Sequence, residues 1–225
     1  MELELGCDTA GDICVAAAPS VFDVYPEYCT DANIFLCPSD PNDSEDDVPG
    51  IVEVVGGIPQ EADEADMSYG YFGWMFDKCD MNDNSGPISG YTNLLALAPD
   101  DPSAIGPTQF LDALNQVVGA FVGSPTADAI DKDWDTSEGT VYRLREGIER
   151  FLISDINNAA ASAKGQSEIW IMMDALSTDI ENFNHVPGGS NVLFLDGHVE
   201  FLKYPGDGPA PVNQNMATAI GGLFS

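Results

Sequence analysis

Basic residues are scarce in this chain. The sequence has seven Lys and Arg against 38 Asp and Glu, which gives a formal net charge of -31. No Lys or Arg precedes Lys78, so the N-terminal third has no cations of its own to balance its carboxylates. A surface of this charge repels nucleic acid and anionic lipid, because both are polyanions. The composition argues against nucleic-acid binding and favours a surface whose self-repulsion is lowered by salt or divalent cations.

Long apolar runs are also lacking. No stretch reaches the roughly 18 apolar residues that a transmembrane helix needs. The first five residues, Met-Glu-Leu-Glu-Leu, lack the basic region that opens a signal peptide. The sequence predicts no direct membrane insertion. An extracytoplasmic location would then require a leader that has been removed or another export route.

The cysteines lie only in the first part of the chain, at positions 7, 14, 29, 37 and 79. Their spacing fits no standard zinc pattern. A cluster of cysteines in a Pro/Gly-rich region without Lys indicates disulfides in an oxidising compartment, with one thiol left free or intermolecular. The connectivity is open, and the local solution would pair Cys7 with Cys14 and Cys29 with Cys37. Reduced, buried cysteines in a cytosolic protein are the alternative.

The length and composition predict one globular domain over residues 1–225. A chain of 225 residues can bury a full core, while 22 Gly and 15 Pro indicate many turns and long loops. Residues 1–50 form a Cys-rich, acidic N-terminal region. All three arginines lie between residues 143 and 150, and we expect them to pair with carboxylates of the acidic loops.

Hydrophobic periodicity predicts an α+β fold. Residues at helical spacing indicate helices over Thr108–Val122, over Val141–Leu152 and in the tail Asn213–Phe224. β-prone residues predict strands at Asn33–Cys37, Ser68–Phe76 and Glu168–Met173. A short helix, capped by Asp12, is predicted over Ile13–Ala18.

The most pattern-rich segment is 185–204. Two β-prone runs, Asn191–Leu195 and His198–Tyr204, flank Asp196-Gly197, which supplies the positive φ angles of a two-residue type I′ turn. The apolar content of the first run predicts that both of its faces are covered. We therefore expect a β-hairpin that is central to a sheet and lies beside the strand Glu168–Met173.

The same segment resembles a known family. The matching residues are Asn184-His185, Gly188–Phe194 and Asp196–Val199, together with Leu36–Asp40, Tyr69–Trp74 and Arg143–Phe151. They are similar to the prepilin-like bacterial proteins that carry a C-terminal processing-associated domain named for a His and an Asp-Gly pair with nine residues between them. Here ten residues separate His185 from Asp196.

The resemblance implies a fold and a function. Such proteins are similar to type IV pilins and to the pseudopilins of type II secretion, which implies an antiparallel sheet packed with helices, assembly into fibres and no catalysis. The expected function is a non-enzymatic subunit of an extracytoplasmic fibre or secretion apparatus, with itself or other pilin-like subunits as partners. The family's long hydrophobic N-terminal helix is absent from this sequence, and that helix normally forms the membrane anchor and the fibre core.

One acidic loop has the spacing of a calcium ligand set. Asp131, Asp133, Asp135 and Glu138 place carboxylates at alternate positions, so a curled loop can point several oxygens at one hard cation. It is not an EF-hand, because Thr136 stands where the Gly of the sharp turn belongs. The spacing is compatible with a calcium loop and with a merely solvated acidic loop. A calcium-dependent surface binding module is the corresponding alternative function.

The two histidines offer one catalytic alternative. His185, Asp196 and His198 are the residue types that hold a catalytic zinc or a non-haem iron, which would make the protein a metal-dependent hydrolase. Asp196 is already required by the turn, however, and no phosphate-binding loop or nucleophile motif accompanies the histidines. We expect these residues to be structural, with His185 or Asp196 bonding to loop backbone.

Overall fold

The computed structural model describes residues 2–5, 13–55, 58–59, 65–94, 101–148, 165–185, 188–204 and 208–221. Within them the fold is α+β, as predicted, and its sheets are antiparallel. The strands are β1 Glu2–Leu5, β2 Ile13–Ala16, β3 Val54–Val55, β4 Ile58–Pro59, β5 Tyr69–Tyr71, β6 Trp74–Met75, β7 Ser85–Pro87, β8 Ile105–Pro107, β9 Trp134–Thr136, β10 Gly139–Arg143, β11 Trp170–Asp174, β12 Gly189–Phe194 and β13 Val199–Lys203. The α-helices are α1 Val21–Val24, α2 Val48–Ile51, α3 Thr108–Gly123, α4 Ala127–Ile130 and α5 Gln214–Ile220.

A four-stranded antiparallel sheet organises the molecule, in the order β13-β12-β11-β5. The strand predicted beside the hairpin is confirmed, because β11 pairs with β12 on one side and with β5 on the other. The remaining strands form a three-stranded sheet, β6-β10-β9, and the pairs β1-β2, β3-β4 and β7-β8.

The hairpin is confirmed, but its turn differs from the prediction. The amide of Gly197 donates to the carbonyl of Phe194, and the amide of Phe194 donates to the carbonyl of His198. The loop therefore has three residues, 195–197, and ends on Gly197 at φ +89°. This is a β-turn followed by a left-handed glycine, the usual three-residue hairpin loop, and the predicted two-residue turn is wrong.

Only one of the two strands of the hairpin is central in the sheet. β12 lies inside the sheet, whereas β13 is an edge strand with no further partner among the described residues. Side chains on cross-strand partners share a face. The outer face, as we call it, carries alternate residues of the four strands: Tyr69, Tyr71, Met172, Asp174, Asn191, Leu193, Val199 and Phe201.

The opposite, inner face of this sheet packs into the main core. α3 packs its apolar face there. The residues of that face, Phe110, Leu111, Leu114, Val117 and Phe121, are all buried in the core cluster. Phe76 stacks on Trp170 at a centroid distance of 5.5 Å. The predicted tail helix is confirmed as α5, whose N-cap Asn213 accepts from the amide of Met216. Both helices follow from apolar spacing alone.

Three local predictions are wrong for physical reasons. Residues 139–143 are β10 and not a helix, because Thr140, Val141 and Tyr142 suit a strand that pairs with both β6 and β9. Residues 13–16 are β2, paired with β1, in place of the predicted helix. The predicted strand at Asn33 is a 3-10 helix, Ala32–Phe35, capped by the Asp31 side chain. The end of the helix predicted over Val141–Leu152, residues 149–152, lies outside the described residues.

The predicted strand over Ser68–Phe76 is divided. β5 joins the four-stranded sheet and β6 joins the three-stranded sheet, with Gly73 at φ +79° between them. A Cβ on Gly73 would lie 2.1 Å from Nη1 of Arg143, so the glycine also makes room for that side chain. The chain therefore changes sheet at Gly73.

The local pairing of Cys29 with Cys37, one of the connectivities that the sequence leaves open, is not formed. Cys29 and Cys37 are free thiols. The sulfur of Cys29 contacts the carbonyl of Asp31, whereas that of Cys37 faces His185, so the two sulfurs point to different neighbours. The side chains of Cys7 and Cys14 lie outside the described part of the structure.

No helix in the described ranges is long and apolar enough to cross a membrane.

Candidate functional site

Segments 36–40 and 184–185 meet at one corner of the four-stranded sheet. The hydroxyl of Ser68 donates to Oδ2 of Asp40 at 2.6 Å and accepts from the amide of Cys37 at 2.9 Å. The Ser68 carbonyl accepts from the side chain of Asn184 at 2.8 Å. Segments 36–40 and 184–185, which are far apart in sequence, are therefore bridged by the residue that precedes β5.

Asp174, the last residue of β11, lies at the centre of this corner and is 4% exposed. Its Oδ2 accepts from the amide of Asn191 at 2.7 Å and from the Asn191 side chain at 2.9 Å. Nε2 of His185 lies 3.1 Å from the same oxygen. We call Cys37, Ser68, Tyr69, Asp174, His185 and Asn191 the Asp174 cluster.

Burial sets the electrostatics of the cluster. It raises the pKa of Asp174, and the hydrogen bonds from Asn191 and the neighbouring His185 offset part of that rise. Burial, followed by the nearby Cys37 and Asp174, raises the pKa of Tyr69 to about 12. Tyr69 therefore keeps its hydroxyl proton at neutral pH.

The thiol of Cys37 faces the imidazole of His185. The Cys37 sulfur lies 3.9 Å from Nε2 of His185. That nitrogen is already 3.1 Å from Asp174 and 3.0 Å from the side-chain nitrogen of Asn191. These contacts join the loop that carries Cys37 to the strands β11 and β12.

A pocket of about 190 Å³ opens on the outer face beside the cluster. Asp174, Asn191 and Tyr69 contribute its polar groups. Apolar side chains form the rest of the lining: Ile34, Met172, Met173, Leu193 and Val199. The half-exposed Ile34 and the exposed Val199 place the mouth of the pocket at the solvent side of the sheet.

His198 and Asp196 lie at the other end of the hairpin. Oδ1 of Asp196 accepts from the amide of His198 at 3.1 Å and lies 2.5 Å from its Nδ1. The hydrogen bond from the His198 amide, and then that from its side chain, lowers the pKa of Asp196. The imidazole stacks on Phe194 at 4.5 Å. The expected bond of Asp196 to loop backbone is confirmed.

The three residues of the hydrolase alternative thus have separate partners. His185 contacts the Asp174 cluster, whereas Asp196 and His198 contact each other at the turn. Over the described ranges, no three His, Cys, Asp or Glu side chains are grouped so that they could hold one metal ion.

The four predicted calcium ligands also have separate partners. Oδ1 of Asp131 accepts from Arg143 at 3.0 Å, and Oδ2 of Asp133 accepts from Arg145 at 2.9 Å. In a second set of contacts, Asp135 accepts from the Thr140 hydroxyl and Glu138 accepts from the Asn84 side chain. The predicted pairing of arginines with acidic-loop carboxylates is confirmed for Arg143 and Arg145; Arg150 lies outside the described ranges. Calcium binding here stays a prediction, and it would require Asp131 and Asp133 to leave their arginines.

Comparison with known proteins gives no match to any protein-family model, curated protein or solved structure.

Sequence reasoning missed Asp174 as the central residue of the site. The one available signal was a single carboxylate directly after the apolar strand run Ile169–Met173. Such a position is buried on one side of a sheet, where a carboxylate needs hydrogen-bond donors. His185 and Cys37 were singled out, but only as parts of separate motifs.

The raised pKa of Asp174 predicts a pH dependence of stability. Between its ordinary value of 3.8 and the raised value, the folded state binds a proton that the unfolded state does not. The contribution of Asp174 to the free energy of unfolding is therefore fully present below pH 3.8 and is lost as pH rises through the raised value. Urea denaturation across this range should show the wild type losing stability relative to Asp174→Asn. A difference that is constant with pH contradicts the assignment.

Proposed function

We propose that the protein is a non-enzymatic, pilin-like subunit of an extracytoplasmic fibre or secretion apparatus. The observation that carries this proposal is the contact between the two motif segments, because Leu36–Asp40 and the segment beginning at Asn184 are joined through Ser68 and through the contact of Cys37 with His185. The residues that carry the resemblance thus have a structural role, because they fix a loop to the sheet. The proposed partners are further copies of this chain or other pilin-like subunits.

The polar groups of the cluster support a structural role. Asp174 accepts hydrogen bonds from Asn191 and contacts His185, and Ser68 bonds to both backbone and side chain. Catalytic groups need a side chain within reach of a substrate and a proton acceptor that is free to act. Here the imidazole nitrogen nearest to the thiol is already engaged by Asp174.

The edge strand β13 is the proposed contact with a neighbouring copy. An edge strand presents unpaired backbone groups that can pair with another strand. Val199 is 61% exposed and Phe201 is 45% exposed, and both lie on the outer face. A second copy brings another charge of -31, so contact between copies requires that this repulsion be screened. Calcium or high salt would supply the screening.

We expect assembly to depend on Val199. The wild-type chain should form larger species in sedimentation velocity and ordered fibres in electron microscopy as salt is raised, and should do so at lower ionic strength in CaCl2 than in NaCl. Val199→Glu should remain monomeric, because it places a charge on the apolar edge.

Val122→Glu is the matched control. Val122 lies at the end of α3 and is also 61% exposed, so the substitution adds the same charge at equal exposure but away from β13. It should assemble like the wild type. Monodisperse wild-type monomers in calcium, or equal loss of assembly in both variants, would argue against a fibre subunit. The first outcome would favour the calcium-dependent binding module.

A further inference from the structure

We propose that the pocket on the outer face binds a small organic ammonium ion carrying one compact apolar group, with Asp174 as its counter-ion. This inference goes beyond the proposed function and does not rest on it. It concerns a ligand of the pocket, whereas the proposed assembly uses the edge strand β13; the two share Val199 at the exposed side of the pocket.

The first support is the unequal use of the two oxygens of Asp174. The bonds from the Asn191 amide and side chain, and the contact with His185, all involve Oδ2. Among the described residues, Oδ1 accepts no hydrogen bond. Asp174 is 4% exposed and lines the pocket, so the free lone pairs of a nearly buried carboxylate lie at a cavity. Oδ1 can therefore accept a hydrogen bond from a ligand in the pocket, and a charged N–H donor makes the stronger bond to a carboxylate.

The second support is the size and chemistry of the pocket. Its volume is about 190 Å³. An apolar cavity of about 150 Å³ holds a benzene ring, so one ring or a short branched alkyl group fits here. Met172, Leu193 and Val199 line the pocket and suit such a group. A ligand with a cationic head and one apolar body therefore matches both parts of the lining.

The third support is the sign of the charge. A net charge of -31 raises the local concentration of cations at the surface and lowers that of anions. His185 approaches Oδ2 and leaves Oδ1 open to a ligand. A carboxylate-bearing or phosphate-bearing ligand would be repelled, and a neutral ligand would leave the charge of Asp174 uncompensated.

Benzylammonium and its neutral analogue benzyl alcohol test the proposal on the intact chain. Protein NMR titrations at about pH 8 should show benzylammonium shifting the amide and side-chain signals of Asn191, with a dissociation constant on the order of 1 mM. Benzyl alcohol should bind about tenfold more weakly or worse, because it lacks the charge. Equal affinities for the two ligands, or no shift at Asn191, would overturn the proposal.

The Asp174→Asn variant tests whether the ligand is attracted by the carboxylate of Asp174 or by the overall negative charge of the protein. An amide oxygen in the place of Oδ2 can still accept the bonds from Asn191, whereas the negative charge and the Oδ1 acceptor are lost. Asp46→Asn is the matched control, since it removes one charge at an exposed position away from the pocket. The first variant should abolish the preference for benzylammonium, and the second should keep it. Equal effects of the two substitutions would show that the negative surface attracts the cation non-specifically, and would contradict the proposal.

Val199→Trp provides a test that leaves Asp174 in place. Val199 lines the pocket at its exposed side, so an indole there should fill the space without disturbing the core. Both benzyl ligands should then lose their binding. Unchanged binding of benzylammonium to a folded Val199→Trp variant would place the ligand elsewhere.

Discussion

Replacing Asp174 with alanine is expected to lower the free energy of unfolding by about 3 kcal/mol. The substitution removes the acceptor of the two Asn191 donors and the partner of His185 at once. These groups lie at a buried or half-buried corner of the sheet, where water does not fully replace the lost acceptor. Urea denaturation followed by circular dichroism measures the effect.

Asp174→Asn is the control for this loss. It keeps an oxygen acceptor at the position of Oδ2 and should stay within about 1 kcal/mol of the wild type. A loss of the same size in both variants would mean that charge, and not hydrogen bonding, carries the stability. A loss below about 1 kcal/mol in the alanine variant would mean that the cluster does not hold the sheet together.

Gly189→Ala is expected to cost about 3 kcal/mol through strain and overlap together. Gly189 opens β12 at φ +150°, which disfavours a residue with a side chain. Its added Cβ would lie 2.5 Å from Cζ of Phe201 and 2.7 Å from the carbonyl oxygen of Leu202. The aromatic ring can turn away, but the carbonyl moves only if β13 moves with it. Thermal and urea unfolding give the size of the effect.

Gly197→Ala isolates the strain from the overlap. Gly197 has φ +89° in the hairpin loop, and no atom lies within 4 Å of an added Cβ. This variant should lose only about 1–2 kcal/mol. If the two alanine variants lose equal stability, the close approach of β13 to Gly189 contributes nothing.

The sequence was most informative where one periodicity extended over many residues. α3 and α5 were predicted from apolar spacing, and the hairpin from two β-prone runs around Asp196-Gly197. Short segments were not predictable in this way. In 139–143 an apolar spacing compatible with a helix was overridden by pairing with two other strands, which no local pattern reveals.

The site was predictable only in parts. His185 was identified from its motif, but its partners are Asp174, Asn191 and Cys37, and the last of these is 148 positions away. The grouping of His185 with Asp196 and His198 that the hydrolase alternative needs is not formed, because His185 precedes β12 and the other two residues follow it, and each end has different neighbours. Long-range register decides which residues meet, and a single sequence carries little information on register between distant strands.

The register of the four-stranded sheet also sets an order of events during synthesis. β5 leaves the ribosome with the N-terminal part of the chain, yet its partner β11 is made about a hundred residues later, and β12 and β13 later still. Ser68 and Cys37 meet one another early, but Asp174 and His185 do not yet exist to join them. The pocket can therefore form only after translation reaches β12 and β13, and a nascent or truncated chain that ends between β11 and β12 would expose the edge of β11 that β12 covers in the full sheet.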